Sequence, residues 1–245
     1  MNSTEPTVVQ SAKLTLSEQA VELLPQRAVY LVHSQTLLVA DLHLGKAAAY
    51  RRLGQPVPQG TTTETLTRLS EALISRPVKH LVILGDFLHS AHVHKAPQTL
   101  AAIAAWREQH SDLIMTLVRG NHDDKAGDPP TDLNIAVVDE PFSVDGFDCQ
   151  HEHRLDSPPE NKPFVFAGHT HPVVTIRGKG HDRLRLVCFV VGVKYCLVPA
   201  FGAFTGGYEH ERLDGEILYA IAQDHVIALP TQATQSRNRC QSWPR

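Results

Sequence analysis

The sequence predicts a single α/β domain in which two sheets pack face to face with helices outside. Three features of the chain favour this fold. Short apolar runs recur along its first two thirds, helix-prone stretches separate several of them, and glycine-separated apolar runs fill the last third. Such short apolar runs are typical of strands buried on both faces, and strand–helix–strand order predicts that neighbouring strands are parallel.

Four of the apolar runs are followed by residue types that bind metal ions. The runs cover residues 37–40, 80–84, 113–118 and 164–167. The residues that follow them are Asp41 and His43, Asp86, Asn121 with His122 and Asp123, and His169 with His171. In open α/β sheets, ligands bind at the edge formed by the carboxyl ends of the strands. Independent helix caps would not all be Asp, Asn or His at this edge, so these residues predict one shared site.

The first half of the chain is predicted to alternate strands and helices. Residues 14–39 contain two or three short strand-like runs, which predict an antiparallel start to the first sheet. Residues 46–54 favour a short helix that ends at a glycine. Longer helices are predicted at residues 61–75, where leucines recur at helical spacing, and at 98–110, after a proline in the first helical position.

The second half of the chain is predicted to be rich in strands. Residues 124–134 contain several Asp and Pro residues and predict a loop. From Arg183 onward, apolar runs separated by glycines predict a second, mainly antiparallel sheet. We therefore predict one domain at residues 14–230, between a flexible N-terminus at 1–13 and a flexible C-terminal tail at 231–245.

The composition is that of a globular protein with a slightly acidic charge balance. The chain has 245 residues, of which 42% are hydrophobic, and a formal net charge of −3. A sizeable core is therefore available, and no overall basic character indicates nucleic-acid binding. The four cysteines lack paired spacing, which predicts free thiols in a reducing cytoplasm. We expect no signal peptide, and no apolar run reaches the ~18 residues that a membrane span needs.

The candidate ligands predict a site for two divalent metal ions. They comprise two carboxylates, one amide and four imidazoles: Asp41, His43, Asp86, Asn121, His151, His169 and His171. Mn²⁺, Fe²⁺ and Zn²⁺ all tolerate this mixture, and the lack of thiolate argues against a structural zinc site. Asp86, on the central strand, is the natural bridging carboxylate. Two carboxylates against two dications leave a local charge of about +2, which favours a phosphate ester clamped between ions ~3.5–4 Å apart.

Two histidines compete for one ligand position after the run that ends near residue 150. His151 is favoured because it lies at the predicted strand end, and His153 is the alternative. Three further histidines, His89, His92 and His94, follow Asp86 in a predicted loop. We expect these three to lie behind the site or on the surface rather than to bind metal.

The blocks Asp-x-His, Gly-Asp, Gly-Asn-His-Asp and Gly-His-x-His, in this order, resemble the calcineurin-like metallophosphoesterase superfamily. The resemblance implies a four-layer αββα sandwich, with two mixed sheets and outer helices, over nearly all of the chain. The ligand sets that it implies are Asp41, His43, Asp86 and His171 for one ion, and Asp86, Asn121, His151 and His169 for the other. It further implies that His122 points at the leaving group and is oriented by Asp123.

Three segments resemble more narrowly the ligase-associated DNA damage response endonuclease family. They are residues 40–46 (ADLHLGK), 84–90 (LGDFLHS) and 199–207 (PAFGAFTGG). This resemblance implies a cytoplasmic, Mn²⁺-dependent phosphodiesterase, an endonuclease of DNA repair that works with a DNA ligase and a helicase. The sequence leaves the role of residues 199–207 open, although their glycines favour tight turns over the site.

Two other functions are compatible with the motifs. One is hydrolysis of small nucleotides, cyclic nucleotides or nucleotide-lipid pyrophosphates, because the Asp-Leu-His-Leu block also occurs in pyrophosphohydrolases of lipid A synthesis. Those enzymes carry an apolar lid for acyl chains, and the sequence shows no matching insertion. The other is a non-catalytic interaction module, which should have lost ligands that this chain keeps.

Basic residues near the first and third motifs are the candidate substrate-binding groups. They are Lys46, Arg51, Arg52 and Lys125. Such cations position a nucleic-acid backbone by contacting its phosphates, and the alternative is that they form a solvated face.

Overall fold

The structure of the protein is a computed structural model that describes residues 10–153, 162–178 and 181–230. The segments predicted to be flexible lie outside these residues, apart from residues 10–13. Cys240 also lies outside them. The other three cysteines, Cys149, Cys188 and Cys196, are buried free thiols, as predicted.

The first sheet starts with antiparallel strands and continues with parallel ones. In the described part of the chain, its strands are β1 (Ala12–Leu16), β2 (Gln19–Leu24), β3 (Ala28–Leu31), β4 (Thr36–Val39), β5 (His80–Leu84), β6 (Ile114–Val118) and β7 (Ala136–Val138). Neighbours from β1 to β4 are antiparallel, and neighbours from β4 to β7 are parallel. The carboxyl ends of β4, β5 and β6 therefore meet at one edge of this sheet.

The second sheet is mixed, and its strand order departs from the sequence order. Its strands are β8 (Phe142–Val144), β9 (Phe147–Gln150), β10 (Val165–Ala167), β11 (Pro172–Arg177), β12 (Arg183–Val191), β13 (Tyr195–Leu197), β14 (Tyr208–Glu209), β15 (Ile217–Ala222) and β16 (His225–Ala228). Across the sheet the order is β14-β11-β12-β13-β10-β9-β8, with β15 beside β12 and β16 beside β15. The second sheet thus starts at Phe142, earlier than the predicted Arg183, and its β9, β10 and β13 are parallel.

The helices form a layer on the first sheet. They are α1 (Lys46–Arg52), α2 (Thr61–Ile74), α3 (Pro97–Gln109) and α4 (Asn121–Ala126), with 3-10 helices at Ala91–Lys95 and Thr131–Leu133. The first three agree with the sequence prediction. Part of α4 and the last 3-10 helix replace the loop predicted at 124–134. The Asp123 carboxylate accepts a hydrogen bond from the Gly120 amide and so caps the start of α4. No described helix is long and apolar enough to cross a membrane.

Two apolar cores lie on opposite faces of the first sheet. Leu37 and Val39 of β4 contribute to the core under the helices, whereas Leu38 and Val82 face the second sheet and pack with residues such as Phe166. Successive side chains of a strand point to opposite faces, so a strand buried on both faces must be apolar throughout. This burial explains the continuous apolar runs, and the two mixed sheets packed through it form the predicted two-sheet sandwich. Among the described residues, however, the outer helix layer lies on the first sheet only, because no described helix follows Leu133.

Candidate metal centre

The predicted ligands come together at the carboxyl edges of the two sheets. The first sheet supplies Asp41 and His43 after β4, Asp86 after β5 and Asn121 after β6. The second sheet supplies His151 after β9, and His169 and His171 after β10. Because β4 to β6 are parallel neighbours and β9 is parallel to β10, each sheet delivers its polar residues to one edge, and the face-to-face packing brings the two edges together.

One group of potential ligand atoms is formed by Asp41, His43 and His171. Their ligand atoms all lie within 4.8 Å of one another. The His171 Nε2 atom is 3.3 Å from the Asp41 Oδ1 atom. The His43 Nε2 atom is 3.6 Å from the Asp86 Oδ2 atom, which connects this group to Asp86.

A second group surrounds His151. The His151 Nε2 atom is 2.8 Å from the Asn121 Oδ1 atom, 3.0 Å from the His169 Nδ1 atom and 3.6 Å from the Asp86 Oδ1 atom. The His151 Nδ1 atom is 3.1 Å from the Leu84 carbonyl oxygen. A proton on Nδ1 donated to that carbonyl leaves the Nε2 lone pair directed at the cluster, the usual support for a metal-binding imidazole.

The residues present fit a pair of metal ions. Asp41 Oδ1, His43 Nε2 and His171 Nε2 are buried and have no hydrogen-bond partner within the described ranges. Buried polar atoms without partners are rare and costly unless another group satisfies them. Burial, helped by the charge of Lys46, lowers the pKa of His43 to about 2, so its imidazole is neutral. A neutral imidazole and an ionised carboxylate are the forms that coordinate metal.

The backbone is strained at several of the predicted ligands. Five of the seven have a positive φ: Asp41 (53°), His43 (46°), Asp86 (53°), His169 (66°) and His171 (46°). L-residues adopt this region at a cost of order 1–3 kcal/mol each, and only where surrounding contacts hold them there. Two such turns hold each other, since the Asp41 amide donates to the Gly85 carbonyl and the His43 amide donates to the Asp86 carbonyl.

The glycines of the motifs make room for the ligands. A Cβ atom on Gly120 would lie 2.5 Å from Asp86 Oδ1, and one on Gly168 would lie 2.8 Å from Asp41 Oδ2. Any side chain at either position would displace a carboxylate of the cluster. Steric crowding therefore explains why a glycine precedes Asn121 and why a glycine precedes His169.

Comparison with known proteins agrees with this arrangement. A family model described as calcineurin-like phosphoesterase matches residues 35–195, more than half of the chain. The chain belongs to the calcineurin-like phosphoesterase family. A solved structure of the Pseudomonas putida nuclease MPE has 43% sequence identity and a TM-score of 0.77, and the match covers 90% of this chain and 100% of that one. No curated protein matched.

Membership of this family establishes the chemistry at a coarse level. The protein is a metal-dependent hydrolase that acts on phosphoester bonds, and its sandwich fold is the one that the sequence predicted. The His/Asp cluster of this phosphoesterase suits a dinuclear site. The similarity to a nuclease agrees with the resemblance to the ligase-associated endonucleases.

The phosphoesterase places His122 at the edge of the cluster, with a different partner from the expected one. Its ring centre is 4.9 Å from that of His43, and its Nδ1 atom is 2.9 Å from the His89 carbonyl oxygen. The Asp123 carboxylate instead accepts hydrogen bonds from the amides of Asp86 (2.7 Å) and Phe87 (3.0 Å). Asp123 therefore holds the strained turn of Asp86, and the His89 carbonyl orients the His122 ring.

The structure also shows where His151 and His153, the two candidates for one ligand position, lie relative to the cluster. His151 is buried in the cluster, whereas the ring of His153 packs 5.1 Å from that of Tyr195. His89 is nearer than expected, because its ring stacks on His122 at 5.1 Å and its ligand atoms group with those of His43 and His122. In the sequence, only the position of His89 three residues after Asp86 indicated that it lies near the cluster.

The four predicted substrate-binding cations of the phosphoesterase differ in their distance from the cluster. Lys46 begins α1, is half-buried and is attracted by Asp41 and Asp86, although burial lowers its pKa. Arg51 and Arg52 are exposed in the last turn of the same helix, and Lys125 is exposed on α4. An α-helix rises 1.5 Å per residue, so the two arginines lie roughly 8–9 Å farther along α1 than Lys46.

Proposed function

We propose that this phosphoesterase is a dinuclear metal phosphodiesterase that cleaves DNA as an endonuclease. The observation that carries the proposal is the position of the Asp86 carboxylate, whose two oxygens face His43 and His151, one in each ligand group. A carboxylate shared by two ligand groups is the arrangement expected of a two-metal site for phosphoryl transfer. The 43% identity to a nuclease supports nucleic acid as the substrate.

In this proposal Asp41, His43 and His171 would hold one ion, Asn121, His151 and His169 would hold the other, and Asp86 would serve both. When bound, the ions supply Lewis-acid stabilisation to a phosphate that undergoes in-line displacement. We propose Mn²⁺ for both positions, because carboxylate and amide oxygens with imidazoles suit it, and thiolates are absent from this set. Fe²⁺ and Zn²⁺ share this ligand preference and are the alternatives to test.

His122 is the proposed proton donor to the leaving oxygen. Its Nδ1 atom is engaged with the His89 carbonyl, so its Nε2 atom is the one that can exchange a proton with substrate. The ring packs between His43 and His89, which limits its rotation. A positioned acid or base of this kind contributes a factor of about 10²–10⁴ to the rate.

The proposed path of the substrate strand follows α1. Lys46, beside the cluster, would contact the phosphate at the metals or its neighbour, and Arg51 and Arg52 would contact phosphates farther along the strand. Lys125, on α4, would also contact a phosphate of the strand. Contacts of this kind position a nucleic-acid backbone without reading its sequence.

The proposed setting is DNA repair in the cytoplasm, in functional association with a DNA ligase and a helicase. Its support is the narrow resemblance of residues 40–46, 84–90 and 199–207 to the ligase-associated endonucleases. A nuclease that prepares ends for a ligase should leave products that the ligase seals. Ligation of the reaction products, with and without end repair, measures whether it does.

A substrate panel with Mn²⁺ tests the proposed activity. It should contain single-stranded DNA, duplex DNA, a flap, cyclic nucleotides and an aryl phosphodiester, each assayed with the wild type and with Asp86→Asn. We expect internal cleavage of at least one DNA substrate, and no cleavage by the variant. Rapid hydrolysis of a cyclic nucleotide with no cleavage of DNA would favour the small-nucleotide alternative.

Salt dependence distinguishes a long substrate from a small one. Each contact to a phosphate of single-stranded DNA contributes about −0.7 to the log–log slope of affinity against salt, so three or four contacts predict a slope of roughly −2 to −3. Arg51→Ala and Arg52→Ala should each flatten the slope and leave hydrolysis of the aryl phosphodiester nearly unchanged. Equal effects on both substrates would contradict the proposed strand path.

A further inference from the structure

Residues 199–208, here called the crossing segment, connect β13 to β14 and pass over the carboxyl edges of both sheets. Ala200 pairs with Ala40, the residue that precedes Asp41, and Tyr208 pairs with Pro172, the residue that follows His171. The crossing segment therefore touches two turns that each carry a proposed ligand. Both ligands, Asp41 and His171, have positive φ.

The first contact of the crossing segment is with the turn at Asp41. The Phe201 amide donates to the Ala40 carbonyl at 2.8 Å, and the Gly202 amide donates to the Asp41 carbonyl at 3.2 Å. A Cβ atom on Gly202 would lie 2.5 Å from the Leu42 carbonyl oxygen. Only glycine lets the two backbones approach so closely.

The second contact is with the turn at His171. The Tyr208 amide donates to the His171 carbonyl at 2.9 Å. A Cβ atom on Gly207 would lie 2.2 Å from Val173 Cγ1 and 2.8 Å from the His171 carbonyl oxygen. At this turn, too, the close approach requires a glycine.

Between these two contacts, the crossing segment is fixed to helix α2. The Ala203 amide donates to Thr65 Oγ1 at 3.0 Å, and Arg68 donates to the Phe201 carbonyl at 2.6 Å. The Arg68 guanidinium also lies over the buried Phe201 ring, 5.7 Å from its centre. The two contacts with the ligand turns are therefore parts of one anchored structure.

The three glycines of the crossing segment have different surroundings. Gly202 and Gly207 pack against the ligand turns, whereas a Cβ atom on Gly206 would meet nothing within 4 Å. None of the three has a φ in the left-handed region. A tight turn does start at Gly202, whose carbonyl accepts a hydrogen bond from the Thr205 amide at 3.3 Å. Close packing, and not a left-handed φ, is the reason for glycine at Gly202 and Gly207.

We propose that the crossing segment is a positioning element for the ion held by Asp41, His43 and His171. Strained turns persist only where other contacts fix them, and the crossing segment supplies hydrogen bonds to both turns from one anchored structure. It sets the distance between a ligand of the first sheet and a ligand of the second. This inference rests on the proposed two-metal site, but not on DNA as the substrate.

The test compares three alanine variants by equilibrium binding of Mn²⁺. Gly202→Ala and Gly207→Ala should weaken the binding of one of the two ions on the order of 10- to 100-fold, the usual effect of removing support for a metal ligand. Gly206→Ala is the matched control and should bind both ions as the wild type does. If all three variants bind Mn²⁺ with wild-type affinities, the inference is overturned.

The affected ion can be identified in a His151→Ala background, which should retain only the ion at Asp41 and His171. Gly207→Ala should then weaken the remaining ion, whereas Gly206→Ala should not. Weakening in the His171→Ala background instead would assign the crossing segment to the other ion and overturn the inference. A wild type that binds fewer than two ions would overturn the proposed metal site itself, which separates the two failures.

If an alanine variant does not fold, a less disruptive pair of substitutions in α2 tests the same inference. Thr65→Val removes the hydroxyl that holds the Ala203 amide, and Thr67→Val makes the same change at an exposed position of α2. Circular dichroism of the metal-free proteins should show the same fold for both. Thr65→Val should bind one Mn²⁺ ion several-fold more weakly than Thr67→Val, and equal affinities would overturn the inference.

Discussion

The two ends of the first sheet differ in chemistry although β4, β5 and β6 form both. The carboxyl end carries buried carboxylates and imidazoles on strained turns. The amino end carries a cavity of about 620 Å³ with apolar residues such as Leu73, Val78 and Leu113 in its wall. This large cavity is therefore remote from the metal centre. At this sheet, the buried carboxylate and imidazole atoms without partners among the described residues lie at the carboxyl end, at Asp41, His43 and His89, whereas the cavity lies at the amino end.

Histidines at the two ends show the difference most directly. At the amino end, His80 Nε2 is 2.9 Å from Thr116 Oγ1, and His110 Nε2 is 3.0 Å from Ser70 Oγ. At the carboxyl end, His43 and His171 have buried Nε2 atoms without a hydrogen-bond partner among the described residues. The hydrogen bonds of the first pair are made within the protein, whereas the Nε2 atoms of the second pair are among the predicted metal ligands. A buried nitrogen without a partner indicates the metal centre only where other ligand atoms surround it, because His153 Nε2 also lacks a partner among the described residues and its ring packs against Tyr195.

The largest expected effect is that of Asp86→Asn at the carboxyl end. Because both ligand groups share this carboxylate, the variant should lose hydrolytic activity and hold well below two metal ions per chain. The matched control is Asp112→Asn, an exposed aspartate in the wall of the amino-end cavity, which should leave both properties unchanged. Elemental analysis that still finds two tightly bound ions in Asp86→Asn would refute the shared-carboxylate assignment.

His122→Ala should keep the metals and lower turnover by a factor of about 10²–10⁴, the range for a positioned acid or base. The loss should be smaller for aryl phosphodiesters with good leaving groups, because such groups depart without a proton. Rates measured over a series of leaving groups check this. An equal loss across the series would rule out proton donation by His122.

His151→Ala and His153→Ala separate a cluster residue from a near neighbour in sequence. His151 lies beside Asn121, His169 and Asp86, so its removal should cost one metal ion per chain. His153 packs against Tyr195, so its removal should leave both ions bound. The metal content of the purified variants distinguishes the two assignments. Loss of an ion from His153→Ala but not from His151→Ala would show that His153 is the ligand.

The smallest effect is expected from His80→Leu at the amino end. The substitution removes the hydrogen bond to Thr116, which should lower the free energy of unfolding by about 1 kcal/mol. Metal content and turnover should stay at wild-type values, because the metal centre lies at the other end of β5. Loss of a metal ion in this variant would show that the two ends are not independent.

Much of the carboxyl end was predictable from the sequence because parallel strands impose it. A run such as residues 80–84, buried on both faces, must be apolar, and the residue that follows it must lie at the common edge. The strand ends alone are therefore sufficient to predict that Asp41, Asp86 and Asn121 lie together. The fold class follows from the same alternation of runs and helices.

Other parts of the centre depend on contacts that no local pattern reveals. The orientation of His122 comes from a backbone carbonyl, that of His89, and carbonyls carry no sequence signal. Asp123 was expected to contact His122, but its position in α4 directs its carboxylate at the amides of the Asp86 turn. The role of the crossing segment, residues 199–208, depends on pairing between strands far apart in sequence.

The second sheet was the least predictable element for a related reason. Strand β11 (Pro172–Arg177) follows His171 without an intervening loop, so its start was hidden within the Gly-His-x-His motif. The strand order of this sheet is set by long-range pairing, with β13 inserted between β12 and β10. Hydrophobic alternation predicts that strands form but not which strands become neighbours.

The most direct test of the central claim is the number of Mn²⁺ ions bound per chain at equilibrium. The account predicts two ions in the wild type, one in His171→Ala, one in His151→Ala and none in the double variant. These numbers follow from two ligand groups that share Asp86. A single ion in the wild type, or loss of the same ion from both single variants, would contradict the account.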